Sequence, residues 1–273
     1  MKFTLNTLLA CFFLFGSLQA QDETSKKRLL DFRLDTCEEA YAHYYEIISL
    51  SPDSNGHYES SIYYRTEEVL YSKGQYEDLD SLGKTGNWTH WHANGQKKET
   101  GSYVNDLKEG RWEGWHDNGA VDYIEQYAGG KLEGQSEYFF ENGQRSARVT
   151  YAAGEMTEEV YWEPDGSALE DISIANRKPE YPGGDIELYT FIGTNMKYPA
   201  AARKRKEMGR VYVAFVVGRN GMIQEAQVVK SVSPDLDKEA LRVINMVPQW
   251  QEGRIMNRPV AVRMVFPITF KLQ

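Results

Sequence analysis

The chain has 273 residues, 41% hydrophobic and 26% charged, with a formal net charge of −9. That length can bury two modest cores, and nine prolines with no low-complexity tract exclude a stiff proline-rich spacer. The charge is divided: residues 21–180 carry 16 Lys+Arg against 32 Asp+Glu, whereas residues 181–273 carry 14 against 8. Opposite signs on the two parts point to two domains with different partners, and the acidic part argues against nucleic acid.

Residues 1–20 read as a signal peptide. Lys2 gives the positive start, Leu8 to Phe15 the apolar run, and Ser17-Leu18-Gln19-Ala20 a small-residue cleavage site. The expected address is the periplasm, reached through a cleaved signal. Retention of the segment as an inner-membrane anchor is the alternative, and the only route to a membrane association. Leu8-Leu9-Ala10-Cys11 also has the look of a lipoprotein site, but cutting there would leave Phe12 to Phe15 on the mature end. Removal of the signal leaves Cys37 as the sole cysteine, so no intramolecular disulfide is expected.

Residues 21–84 form the first region. Tyr41 to Ile48 and Ser61 to Arg65 are rich in Tyr and Ile and predict strands, with Ser51-Pro52-Asp53-Ser54-Asn55-Gly56 turning between them. They read as the N-terminal cap of a β array.

Residues 85–172 repeat. Asn94-Gly95, Asn118-Gly119 and Asn142-Gly143 stand 24 apart, as do Tyr103, Tyr127 and Tyr151, and Asp165-Gly166 continues the series. Trp91, Trp115, Phe139 and Trp162 share one slot. Such a period marks a stacked array. Asn-Gly between strand-like segments predicts a hairpin with a type I′ turn, which needs positive φ at both central residues. One hairpin cannot bury its own aromatic face, so neighbours stack. The units resemble MORN-type repeats.

Trp88, His90, Trp91 and His92 suggest a metal or aromatic site, but the repeat argues otherwise. The slot of His92 holds His116 and then Phe140; that of His90 holds Gly114 and then Tyr138. A zinc site needs three or four converging ligands. Neither a metal nor a cofactor is expected.

Residues 173–195 read as linker and approach segment, with Pro179-Glu180-Tyr181-Pro182-Gly183-Gly184 at the composition shift and a short apolar segment at Leu188–Ile192. Residues 196–273 follow as a second domain. Pro199 opens a helix, Val211, Val213, Phe215 and Val217 alternate as a strand, and Gly218 to Gly221 turns it into a second strand ending near Val229. Pro234-Asp235 opens a helix with Leu236, Ala240, Val243 and Val247 on one face, and a last strand is expected from Pro259 to Phe270.

Tyr198-Pro199 with Ala202, then Gly209, Val211-x-Val213-x-Phe215, Gly221, Ser231, Leu236-Asp237-x-x-Ala240, Trp250 and Phe266-Pro267-Ile268-x-Phe270 resembles the TonB C-terminal domain. Gln251 departs from the pattern, where the family carries a basic residue or proline. The fold class is therefore mainly β plus α+β: a β-hairpin array followed by a three-stranded antiparallel sheet with two helices. The resemblance implies that the last strand takes up an extended peptide, the TonB box of an outer-membrane transporter, by strand addition. The expected partner-binding residues are Tyr198, Pro199, Pro259, Val260, Ala261, Val262, Arg263, Met264, Val265 and Phe266. Pro267 lacks an N–H and suits an edge strand, although Arg263 and Pro267 could equally blunt that edge against aggregation.

No catalytic motif is legible: no paired carboxylates, nucleophile elbow or phosphate-binding loop. The chain reads as an exported protein-binding module, not an enzyme, whose partner is an outer-membrane transporter or another envelope protein. A rival class is a non-transducing envelope scaffold whose repeats and basic C-terminal domain bind other proteins or an anionic wall polymer.

Overall fold

The computed structural model describes residues 24–31, 33–80 and 82–272 of the chain, so the expected signal segment lies outside the described residues. Strands β1 (Ser25–Leu30), β2 (Tyr44–Ser49), β3 (Tyr58–Tyr64) and β4 (Leu70–Tyr76) pair antiparallel in chain order. They lead directly into three hairpins: β5 (Lys84–Trp91) with β6 (Lys97–Val104), β7 (Leu107–Trp115) with β8 (Val121–Ala128), and β10 (Gly134–Phe139) with β11 (Arg145–Ala152). The short β9 (Lys131–Leu132) pairs with β8, and β12 (Glu155–Tyr161) closes the 12-stranded sheet. The two strands expected near the N-terminus are β2 and β3, and β4 joins them to the repeats.

The turns differ from the sequence expectation. At the Asn-Gly ends only the glycines have positive φ: Gly95 at 83°, Gly119 at 85° and Gly143 at 82°. Gly95 N–H donates to His92 O at 2.9 Å and His92 N–H to Gln96 O at 2.8 Å, which is a type I turn closed by a left-handed glycine. The reason is the Asn side chain. Asn94 Oδ1 accepts from Gln96 N–H within its own turn, while Asn94 Nδ2 donates to Asp117 O of the next hairpin. Asn118 and Asn142 repeat both contacts. Type I′ geometry occurs at the other end of the array, where Asn105-Asp106, Gly129-Gly130 and Ala153-Gly154 all have positive φ.

Strand alternation puts the aromatic core on one face. Trp88 and Trp112 are fully buried, each lying over a glycine of the neighbouring strand. A Cβ on Gly74 would stand 2.1 Å from the Trp88 indole, and one on Gly101 would stand 2.2 Å from that of Trp112. Tyr76, Trp88, Tyr103, Trp112 and Tyr127 follow one another with centroid separations of 5.4, 6.2, 5.0 and 6.4 Å. Such pairs contribute about 0.5–1.5 kcal/mol each beyond area burial. Polar groups share this interior: the Glu46 carboxylate is wholly buried and accepts from Arg28, Ser60 and Tyr76.

The C-terminal part begins with α1 (Gly184–Asn195) and α2 (Ala200–Lys204), followed by β13 (Gly209–Val217) and β14 (Ile223–Lys230). Next come α3 (Pro234–Ile244), β15 (Gly253–Ile255), β16 (Arg258–Val260) and β17 (Val262–Phe270). The order β14-β13-β17 makes the antiparallel sheet and residues 196–273 carry the two expected helices, α2 and α3, with α1 in the approach segment before them. Its core is almost entirely apolar: Val211, Val213 and Phe215 from β13 meet Leu236, Ala240 and Val243 from α3, with Leu188, Trp250 and Phe270.

Candidate protein-interaction site

β17 is an edge strand. It pairs with β13 from Gly209↔Phe270 to Val217↔Val262, and among the described residues no strand covers its other side. Pro267 lies within it, opposite Tyr212. Met264 and Phe266 point into the core and are half-buried, whereas Arg263 and Val265 face outward, Val265 with 54% of its surface exposed. Tyr189 of α1 meets Phe266 at 5.2 Å between ring centroids. Tyr189 itself and Ile186, one turn earlier, are exposed, so an apolar patch borders the open strand.

The structure divides the sequence-predicted residues into three groups. Val262, Arg263, Met264, Val265 and Phe266 share the first half of β17. Tyr198 and Pro199 stand at its far end: Tyr198 packs edge-on against Phe270 at 5.8 Å and donates its hydroxyl to Glu207 O, and Pro199 is the N-cap of α2. They shape the end of the sheet and do not meet the first half of the edge.

Pro259, Val260 and Ala261 correct the expectation of one continuous last strand. Arg258–Val260 pair with Gly253–Ile255, and Ala261 is the break at which the chain crosses into β17. The cause is a type I′ turn at Met256-Asn257, with φ of 52° and 59°, which folds β15 and β16 into their own hairpin. The approach segment widens it through bridges Arg177↔Arg254 and Glu180↔Gln251. Gln251, where the sequence departs from the family pattern, thus has a pairing role.

The tip of that hairpin is inserted against the repeat sheet. Met256 packs on the cluster that contains Tyr138, Tyr151 and Tyr161, with the Tyr161 hydroxyl 4.0 Å from its sulfur, and its N–H donates to Asn176 Oδ1 at 2.9 Å. Arg258 lies 4.9 Å from the Tyr138 ring centroid and donates to the backbone oxygen of Asp122 at 3.0 Å and to its carboxylate. Asp122 is the extra residue where the β7–β8 register shifts, and such a bulge leaves a backbone carbonyl free to accept. Asn257 is fully buried and donates from Nδ2 to Trp162 O at 2.7 Å.

This last bond completes a ladder. His92 Nε2 donates to Trp115 O at 2.8 Å and His116 Nε2 to Phe139 O at 2.9 Å, each reaching the next aromatic slot. Phe140 occupies the third histidine slot and cannot donate. The carbonyl it would serve, that of Trp162, receives Asn257 instead. His92 and His116 are thus carbonyl-bonding rungs, and no group of three His, Cys, Asp or Glu side chains among the described residues could hold a metal. His90 is buried between Trp88 and Tyr71 with Nε2 unpartnered, and burial pulls its pKa down to about 4 against the opposing pull of the Glu99 carboxylate.

Residues 194–272 match the family model described as Gram-negative bacterial TonB protein C-terminal, and residues 84–105 and 132–153 match that of the MORN repeat variant. The first match takes in 79 of the 273 residues and marks this segment as similar to the TonB C-terminal domain. An NMR solution structure of the Helicobacter pylori TonB C-terminal domain is 25% identical over 32% of this chain and 79% of its own, with a TM-score of 0.27. A second structure of the Helicobacter pylori domain is 24% identical over 32% of this chain and 90% of its own, with a TM-score of 0.25. No curated protein matches the chain. The TonB-like segment supports a protein-interaction module.

Sequence reasoning missed Asn257 and Arg258. The signal was present: Met256-Asn257 lies between two short segments, and Phe140 interrupts a histidine series. Only the fold connects them.

Proposed function

We propose that this chain is an envelope protein whose TonB-like domain takes up an extended peptide by strand addition along the first half of β17, and that the peptide is the TonB box of an outer-membrane transporter. The observation that carries the reading is the open edge at Val262–Phe266, bordered by exposed Ile186, Tyr189 and Val265. Unpaired main-chain groups supply affinity at such an edge, and flanking side chains give selectivity. Arg263 is the one charge on that half-strand and disfavours basic residues opposite it.

The reading separates the chain into a repeat platform (85–172, capped by 21–84) and a binding domain (196–273) joined through 173–195. The hairpin tip fixes one to the other, so a peptide on β17 is held at a set position relative to the array. Synthetic TonB-box peptides test it. The unmodified peptide is expected to bind, and N-methylation at alternate residues should abolish binding. Equal binding of both forms would refute strand addition.

A further inference from the structure

The repeat sheet has a second face, and its side chains form a row of their own. Trp91, Trp115 and Phe139 end the first strands of the three hairpins, and Trp162 follows β12; all four are half-buried. Trp88 and Trp112 stand three residues before Trp91 and Trp115, so the row points away from the buried aromatics. The C-terminal hairpin packs on that buried side, against Tyr138, Tyr151 and Tyr161. The row is therefore on the side of the sheet that the TonB-like domain leaves uncovered.

Three features of this face define a ligand. Successive rings are separated by two strands, about 9.5 Å at ordinary strand spacing. That matches the advance of a β-1,4-linked sugar chain over two residues, after which the same face of a pyranose returns. At the Trp91 end the sheet carries a groove of about 560 Å³ walled by Asn55, His57, Glu59, Lys73 and Asn87. Amide, imidazole, carboxylate and ammonium groups beside one indole suit a ligand with many hydroxyls and an apolar C–H face. Three ion pairs also lie within the face: Lys73 with Glu59 at 2.8 Å, Arg111 with Glu113 at 3.3 Å, and Arg145 with Glu137 at 2.7 Å. Charges spent on one another in this way are not offered to a polyanion such as a nucleic acid or an anionic lipid surface.

We infer that this outer face binds a linear, uncharged β-1,4-linked glycan, with Trp91, Trp115 and Phe139 each stacking on every second sugar and the groove beside Trp91 taking hydroxyl groups. The inference stands apart from peptide binding on β17. Lys97, opposite Trp91, reaches to 5.8 Å from the Trp115 ring, and Arg145, opposite Phe139, to 5.5 Å from that of Trp162. Lys97 has no carboxylate partner among the ion pairs of the face and can donate to a sugar hydroxyl.

The test is calorimetric titration of the full chain with cellohexaose and chitohexaose, each compared with its disaccharide. At least one hexaose is expected to bind, at least about tenfold more tightly than its disaccharide because it spans several rings. Trp91→Ala and Trp115→Ala should each weaken the hexaose about tenfold, and Trp91→Phe should retain most of the affinity. Far-UV circular dichroism establishes that each variant is folded. Failure of both hexaoses to bind, equal affinity for hexaose and disaccharide, or unchanged binding in the folded alanine variants would each overturn the inference.

Discussion

The repeat sheet and the TonB-like domain keep their shapes by different means. The array buries a carboxylate, several serines and two histidines among its aromatic rings, and its hairpins are tied to one another by side chains that reach the next carbonyl. Stability there is a sum of similar local steps. The C-terminal domain instead closes one aliphatic and aromatic core between a sheet and its helices, so damage anywhere in that core is felt throughout. A periodic structure can therefore lend its end to a foreign rung, as Trp162 O does to Asn257. A single-core domain can leave one strand edge open, because its core lies on one face of the sheet.

This contrast can be broken from either side. Phe215→Ala empties a fully buried site in the C-terminal core and should cost about 3–5 kcal/mol there. Urea unfolding would then show the C-terminal domain melting first, with only a small shift in the array's midpoint from the loss of its clamp. Gly101→Ala drives a Cβ into the Trp112 indole and should cost about 1–3 kcal/mol in the array, with loss of near-ultraviolet tryptophan ellipticity and an intact C-terminal domain.

Asn257→Ala attacks the junction. It strands the half-buried Trp162 carbonyl, costs about 1–3 kcal/mol, and should make the two parts unfold independently in calorimetry. A single cooperative transition in this variant would show that the clamp does not depend on the rung.

The smallest effect concerns acid. His90 is held neutral in the fold down to about pH 4, whereas in the unfolded chain it titrates near 6.5. The unfolded state thus binds more protons across that interval, and stability falls as pH drops from about 6.5 to about 4. His90→Phe should flatten that part of the profile for the array and leave the C-terminal domain's profile unchanged.

The period of Asn-Gly and Tyr makes the hairpins legible in the sequence, and the alternation around Val211–Val217 does the same for the central strand of the small sheet. Turn type was misread because Asn94 bonds outward to the next hairpin, a contact that local propensity cannot contain. The break at Ala261 was missed because Pro259-Val260-Ala261-Val262 is uniformly strand-like; what interrupts it is a turn five residues upstream and pairing with Gly253–Ile255. The edge character of β17 could be argued from Pro267 alone. The clamp could not, since Asn257 meets Trp162 across 95 residues.

Peptide recognition by the C-terminal domain stands or falls with the open side of β17 accepting a strand. Amide hydrogen exchange of the full chain, with and without a TonB-box peptide, tests it most directly. New protection is expected only at outward-facing amides of Val262–Phe266, with the array unchanged. Protection elsewhere with none in β17, at saturating peptide, would contradict it.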